Sequence, residues 1–477
     1  MESITLRSRD RSRTPIRIEL LAAARRFALA TALGASVGGC VSAQTSQGLD
    51  RTFDATTPHL VPPTERSEAA PDLDLAATLD RDAVIALAVA RSPSLTAMAH
   101  RARALVHAGR AERALPSPEV GVAVQNLPLA RPYALGDAGM YMVEFQQRFP
   151  VAGARDARAR AMSEEAQSLL AELSSGERMT AQRAADAYAD YVRSAQERAL
   201  QAQQVALLER MQGAIGARYS TGGSALADMP RLELELAKTR RAIARTEGDG
   251  VRVRAVLNAL LRRPASAPLG APREVQAETV RLSVEQLLAL ATTSRGATLA
   301  ADARVRAAEA RRAAADAEAS TPEFMVGFGY WQDPRMRPGI GLSFSMSLPW
   351  LWGPQGERVA QAEEERAVES SVRESVAIDA QSEVTQAHAM LASAEAQFVV
   401  VDAQALPAVR RAIDALAAAY VTGNANLLEW IDAARAILDL EMEKIELGAE
   451  LAHSIAALEQ AVGAPLPRVS LTMEDSR

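Results

Sequence analysis

"YSTGGSALAD" (219–228) and "YVTGNANLLE" (420–429) are one phrase written twice, with Tyr219/Tyr420, Thr221/Thr422, Gly222/Gly423, Leu226/Leu427 and Asp228/Glu429 all standing 201 residues apart. A second pair, "FQQRFPVAG" (145–153) and "FSMSLPWLWG" (344–353), matches Phe145 with Phe344 and Pro150 with Pro349 at an offset of 199. Two landmarks at nearly one offset make the chain a duplication. Each copy reads as a short helix (80–91; 283–294), a medium helix (94–115; 297–319), two strands, a long helix, a turn and a returning helix. The long helices, 153–218 and 353–419, carry apolar residues at coiled-coil spacing, among them Met162, Leu169, Leu173, Tyr188, Val192, Leu208, Met211 and Ile215. At about 1.5 Å per residue each extends close to 100 Å, far more than a compact domain needs. The medium helix and the returning helix (228–262) together span roughly 85 Å, so stacked end to end they run beside the long one. Pro407 removes a backbone donor inside the second long helix, and a kink is expected there.

Two hairpins interrupt the helices. "GIGLSFSMSLPW" (339–350) alternates Ile340, Leu342, Phe344, Met346, Leu348 and Trp350 with glycine, serine and proline. An apolar face against lipid and a small polar face against water is the pattern of a transmembrane strand of about ten residues. Its partner, 322–331, places Phe324, Val326, Phe328 and Tyr330 on one face. Residues 139–149 do likewise with Tyr141, Val143, Phe145 and Phe149 against Met140, Met142, Glu144, Gln146 and Arg148, and Val120, Val122 and Val124 complete the fourth strand. A half-buried sheet in a soluble α+β protein shows the same period. Four strands cannot close a barrel, and open edges are not tolerated in lipid, so a membrane reading requires several copies.

The first 39 residues order a basic region (Arg7 to Arg26), the apolar run "FALATALGASVGG" (27–39) and small residues, as an export signal does. It stops at "VGGC" (37–40), which is similar to a bacterial lipobox and makes Cys40 a lipidation candidate; a plain secretory peptide with a chance cysteine is the alternative. Residues 40–78, rich in Pro, Ser, Thr and Asp, read as a tether. The repeats then occupy 79–275 and 280–465, and 466–477 is a tail. One cysteine in 477 residues rules out a disulfide framework, and the formal charge of -6 argues against a nucleic-acid partner. No stretch reaches the length of a membrane-spanning helix. Phosphate-cradling, HExxH and dinucleotide motifs are missing, so no enzyme activity, cofactor or metal site is expected.

The two YxTG turns, the "RFP" and "SLPW" strand exits and "LPAVRRAIDALAAAYVTGNANLLEWIDAAR" (406–435) resemble the TolC-like outer-membrane efflux factors. The resemblance covers roughly 80–465. It implies a mostly α fold with a small membrane β part: a duplicated helix–strand–strand–helix unit whose trimer forms an α-helical tunnel topped by a twelve-strand barrel. The implied function is a passive duct for substrates delivered by an inner-membrane resistance-nodulation-division pump and a periplasmic adaptor. It also implies an outer-membrane address, to which the lack of an aspartate after Cys40 conforms. The lipobox and "VQNLP…MYMVEFQQRFP" look more like the heavy-metal branch, which exports copper and silver or cobalt, zinc and cadmium. Multidrug efflux or type I secretion is the alternative, and a periplasmic coiled-coil lipoprotein without a channel is another.

By the same resemblance the turns at Gly222 and Gly423 lie at the periplasmic tip, where Glu429 and Asp432 match carboxylates that line the constricted entrance and Asp228 and Tyr420 match positions that bridge it. Ala425 stands where some relatives carry an arginine of that bridge. Glu429 and Asp432 share one helix face, and three copies would gather six acids about one axis. Acids are also favoured in the first turn of any helix. His100 and His107 share a face without a third ligand and read as structural. Met140, Met142 and Met325 face the sheet's other side, where thioethers suit Cu(I) but also simply fill space.

Overall fold

A computed structural model describes residues 75, 77–131, 133, 135, 138–220, 228–273, 276–333, 336–422 and 424–471. The first repeat runs α1 (Arg81–Ala90), α2 (Pro93–Arg113), β1 (Glu119–Gln125), β2 (Met140–Phe149), α3 (Ala152–Ser220) and α4 (Asp228–Leu260). After the short β3 (Glu278–Thr279), the second runs α5 (Val284–Ser294), α6 (Gly296–Ser320), β4 (Phe324–Gln332), β5 (Gly339–Met346), α7 (Gln355–Val400), α8 (Leu406–Thr422) and α9 (Leu427–Val462). The duplicated order is the expected one. No single described helix is long and apolar enough to cross a membrane.

Local chemistry sets the ends. Asp80 caps α1 through the Ala83 N–H, and Ser283 and Gln286 form a reciprocal capping box on α5. Gly463 ends α9 with φ of 83°, where a Cβ would sit 2.6 Å from the Arg295 Cα. Between α7 and α8 the chain does not simply kink at Pro407. Val401–Ala405 forms a π-helical turn, with the Leu406 N–H reaching the Val401 carbonyl. A proline ring crowds the carbonyl four residues before it, here Ala403, and widening the preceding turn relieves that clash.

The two repeats share a joint that the sequence did not disclose. Arg91, between α1 and α2, donates from Nη1 to the Leu261 carbonyl at 3.2 Å; Arg295, between α5 and α6, donates from Nη1 to the Ala461 carbonyl at 3.0 Å. In each case a guanidinium from the short-to-medium helix joint ties down the end of the returning helix, as stacking end to end requires. Arg295 is 8% exposed and also meets Glu383 at 2.8 Å.

Long-helix packing follows two rules. The second half of α3 buries Tyr188, Leu208, Met211 and Ile215, as the coiled-coil spacing predicts. In its first half Leu173 is buried as expected, but the other buried positions are mostly small, Ala154, Ala159, Ala161, Ser163, Ala166 and Ser168, while Met162 and Leu169 are half-buried. The reason is the partner: α6 presents Ala300, Ala301, Ala303, Ala307, Ala308, Ala310 and Ala314, and small residues on both sides let the backbones approach closely. Ion pairs fix the register. Arg304–Glu172, Arg311–Glu165 and Glu318–Arg158 step by one heptad up α6 and down α3, so the helices are antiparallel. The tail is engaged as far as Leu471: β6 (Val469–Ser470) pairs antiparallel with β3.

Candidate membrane sheet and tip

The four long strands make one antiparallel sheet in the order β1-β2-β4-β5, so β2 and β4 join the repeats at its centre. The register pairs Val122 with Val143, Val143 with Tyr330, and Tyr330 with Ile340; likewise Val120–Phe145–Phe328–Leu342 runs across all four strands. Directly paired residues share a face. The aromatic and aliphatic residues therefore form one continuous surface, and nothing among the described residues covers it: Val122 is 74% exposed, Leu342 82%, Ile340 72% and Phe344 67%. Val143, Phe145 and Met346 are exposed and Tyr141 half-buried on the same surface. Phe324 and Phe344 stack with ring centroids 5.7 Å apart.

Two residues of the expected lipid-facing strand lie beyond it. The pairing ends with the Ser347 N–H on the Glu323 carbonyl, and Leu348 and Trp350 follow in a turn closed by the Leu351 N–H on the Leu348 carbonyl. Pro349 has no N–H to continue the ladder, so the alternation in sequence outruns the strand by four residues. Both side chains remain exposed.

The opposite face carries Met140, Met142, Glu144, Gln146, Met325, Gly327, Gly329, Gly339, Gly341 and Ser343. Trp331 also lies on it, folded over glycines; a Cβ on Gly341 would meet its ring at 2.1 Å. This is an aromatic side chain filling the space a glycine leaves.

At the far end of the long helices, α3, α4, α8 and α9 converge on Leu208, Met211, Ile215, Leu232, Ile413, Tyr420, Leu427, Trp430 and Ile431. Tyr420, 2% exposed, packs on Trp430 with centroids 5.2 Å apart. Glu429 is exposed and forms a capping box: its N–H donates to Asn426 Oδ1 at 2.9 Å while its carboxylate accepts from the Asn426 N–H and side-chain amide. Asp432, three residues on, accepts from Arg435 at 3.1 Å. Arg435 in turn forks onto Glu235 of α4, which also pairs with Lys238 at 2.8 Å. The Arg435 hydrogen bond, foremost, holds the Glu235 carboxyl below the usual glutamate range.

The tip therefore brings Tyr420, Glu429 and Asp432 together. Asp228 begins α4, but its side chain lies outside the described residues, as do Gly222, Gly423 and Cys40. Asn426, Arg435 and Glu235 were not singled out in sequence. The N-x-x-E spacing of Asn426 and Glu429 is a legible capping signature; the Arg435–Glu235 pair joins nearly equivalent positions of the two repeats and has no local signal. His100 and His107 are exposed, and no cluster of metal-ligating side chains occurs among the described residues.

No protein-family model and no curated protein sequence matches the chain. Solved structures do. CusC, a protein that forms a transmembrane channel, superposes with a TM-score of 0.69 at 16% identity over 82% of this chain and 93% of its own. The fold is that of an outer-membrane channel protomer. The MtrE outer-membrane channel of Neisseria gonorrhoeae, in its open state, matches with a TM-score of 0.69 at 18% identity, over 81% of this chain and 89% of that one. VceC, an outer-membrane protein of Vibrio cholerae, gives 0.66 at 17%, over 80% and 96%.

Proposed function

We propose that this chain is the outer-membrane subunit of a tripartite efflux system, a passive duct that receives its substrate from an inner-membrane pump through a periplasmic adaptor. The observation that carries the reading is the uncovered aromatic and aliphatic face of the four-stranded sheet. In water such a patch is a liability; against lipid it is the required surface. A four-stranded sheet has two open edges, and lipid tolerates none, so closure needs further copies of the chain. Three would supply twelve strands, and the protein is accordingly read as a homotrimer in contact with outer-membrane lipid. A periplasmic structural lipoprotein has no use for this face.

In this reading residues 1–39 are a signal peptide, Cys40 is acylated, 40–78 tether the anchor to the repeats, and the bundle reaches into the periplasm. Glu429 and Asp432 line the entrance at the tip, with Tyr420 and Asp228 beside the Gly222 and Gly423 turns. The Glu429 side chain stays exposed within the box with Asn426, which is compatible with a place in the entrance. Heavy-metal cations are the substrate the sequence resemblance favours, with organic drugs or a secreted polypeptide as the rival.

Membrane fractionation followed by light scattering in detergent tests the reading. The expected result is a trimer recovered from the outer membrane; a soluble monomer overturns it. Cys40→Ser should abolish labelling with radioactive palmitate. Deleting the gene should lower tolerance to copper, silver, zinc, cobalt or cadmium, whereas new sensitivity to organic compounds alone would select the drug-efflux form.

A further inference from the structure

On the face of the sheet turned away from the aromatic surface, Glu144 stands in mid-strand among residues that have almost no side chain, while the face's other acid, Glu119, lies at the start of β1 opposite Gln146. Glu144 lies directly across from Gly121 on β1 and from Gly329 on β4. Its carboxylate leans over Gly327, where it meets Ser343 of β5, whose hydroxyl donates to Oε1 at 3.5 Å. A Cβ on Gly327 would come within 3.2 Å of that carboxylate oxygen and 2.2 Å of the hydroxyl. The bare backbone of β1 and β4 is thus what gives Glu144 its room.

The acid is half-buried and makes no ion pair among the described residues. Arg148, on the same face, is four residues along β2, about 13 Å away at strand rise. This contrasts with the tip, where Asp432 is held by Arg435 and Glu429 by its own cap. An ionised carboxylate in a sheet whose other face meets hydrocarbon is tolerated only where its own face is wet. In a narrow water column with a low-dielectric wall, a fixed charge acts on ions far more strongly than it does in bulk water, because the wall focuses its field.

We propose that Glu144 determines the charge selectivity of the duct at the level of the membrane, drawing small hydrated cations into the strand section and disfavouring anions. The inference rests on the channel reading above. Three copies would place three such acids around the column, each beside the glycines of β1 and β4 and 3.5 Å from the Ser343 hydroxyl.

The test is the reversal potential of the purified wild-type protein in a planar bilayer under a KCl gradient, compared with Glu144→Gln, Glu144→Lys and Glu144→Asp. Wild type and Glu144→Asp should prefer K+ over Cl−, Glu144→Gln should lower the permeability ratio by roughly threefold or more, and Glu144→Lys should favour Cl−. Equal elution in detergent and equal far-ultraviolet circular dichroism establish that the variants assemble alike. A wild-type ratio in both the Gln and Lys variants overturns the proposal, as does a shift seen only when Glu429 and Asp432 are replaced by Gln and Asn. A wild-type trimer that never conducts overturns the channel reading itself, a result distinct from conduction with unaltered selectivity.

Discussion

Arg435 on α9 closes a two-pronged guanidinium contact on Glu235 of α4, with Nε donating to Oε2 at 3.1 Å, and so ties the tip of the second repeat to that of the first. Glu235's side chain is only 10% exposed, so the pair is shielded from solvent on the carboxylate side. Ala425 leaves the outermost turn without a cation, and this bridge stands further along the same helix. Arg435→Ala should cost about 2 kcal/mol, because it removes the main partner of a nearly buried carboxylate while Lys238 remains. Thermal unfolding measures the cost. Limited proteolysis should cut the turns at 219–228 and 420–429 faster, and an unchanged cutting rate would show that the bridge does not hold the tip.

The same pair predicts a pH dependence. Glu235 titrates below the ordinary glutamate range, chiefly because of the Arg435 hydrogen bond. A depressed carboxylate contributes stability that is complete above its unfolded pKa and is lost as pH falls through the folded one. The stability difference between wild type and Glu235→Gln should therefore be constant from neutral pH down to the ordinary glutamate range and shrink only below it.

Asp186 behaves in the opposite sense. Burial in the seam between α3 and α9 raises its carboxyl, His453 lowers it and Asp190 raises it further; Oδ1 is buried without a hydrogen-bond donor. For a raised carboxylate the stabilising state is the protonated one, present below the unfolded pKa and lost as pH rises through the folded pKa. Asp186→Asn should thus stabilise the protein by roughly 1 kcal/mol at neutral pH and give no advantage in acid below the carboxylate range. A melting temperature that falls at neutral pH would contradict this account of the seam.

Glycines at two positions should respond with opposite signs. A Cβ on Gly296 would lie 2.2 Å from the Ala171 carbonyl oxygen of α3, which is backbone and cannot swing aside. Gly296→Ala should cost about 2 kcal/mol or more by forcing α6 off α3. Gly248, inside α4, is exposed with nothing within 4 Å of an added Cβ, so Gly248→Ala should stabilise by about 0.5 kcal/mol through the entropy of the unfolded chain. Denaturant midpoints of the two variants decide it.

Most of the architecture was legible because each signal was periodic or repeated. The 201-residue offset of Tyr219 and Tyr420 exposed the duplication, and the alternation at 339–350 exposed the sheet and its outward face. What escaped came from pairings distant in sequence. Nothing near Arg91 or Arg295 points to the Leu261 and Ala461 carbonyls, because a joint between stacked helices exists only once they stack. The heptad ladder of Arg304, Arg311 and Glu318 against Glu172, Glu165 and Arg158 reads on each helix alone as ordinary surface charge. Glu429 and Asp432 stand out in sequence as acids three apart on one helix face, but the capping role of Glu429 and the hold of Arg435 on Asp432 depend on geometry. Trp350 was overextended for a simple reason: side-chain alternation carries no record of Pro349 ending the ladder.

The central claim is that copies of this chain close their four-stranded sheets into a water-filled barrel, and single-channel recording of the detergent-purified protein in a planar lipid bilayer tests it most directly. The account predicts discrete conductance steps of one uniform size from a preparation that elutes as a trimer, with steps more frequent in Arg435→Ala. A protein that leaves the bilayer silent in both forms, and that stays monomeric in detergent, would contradict it.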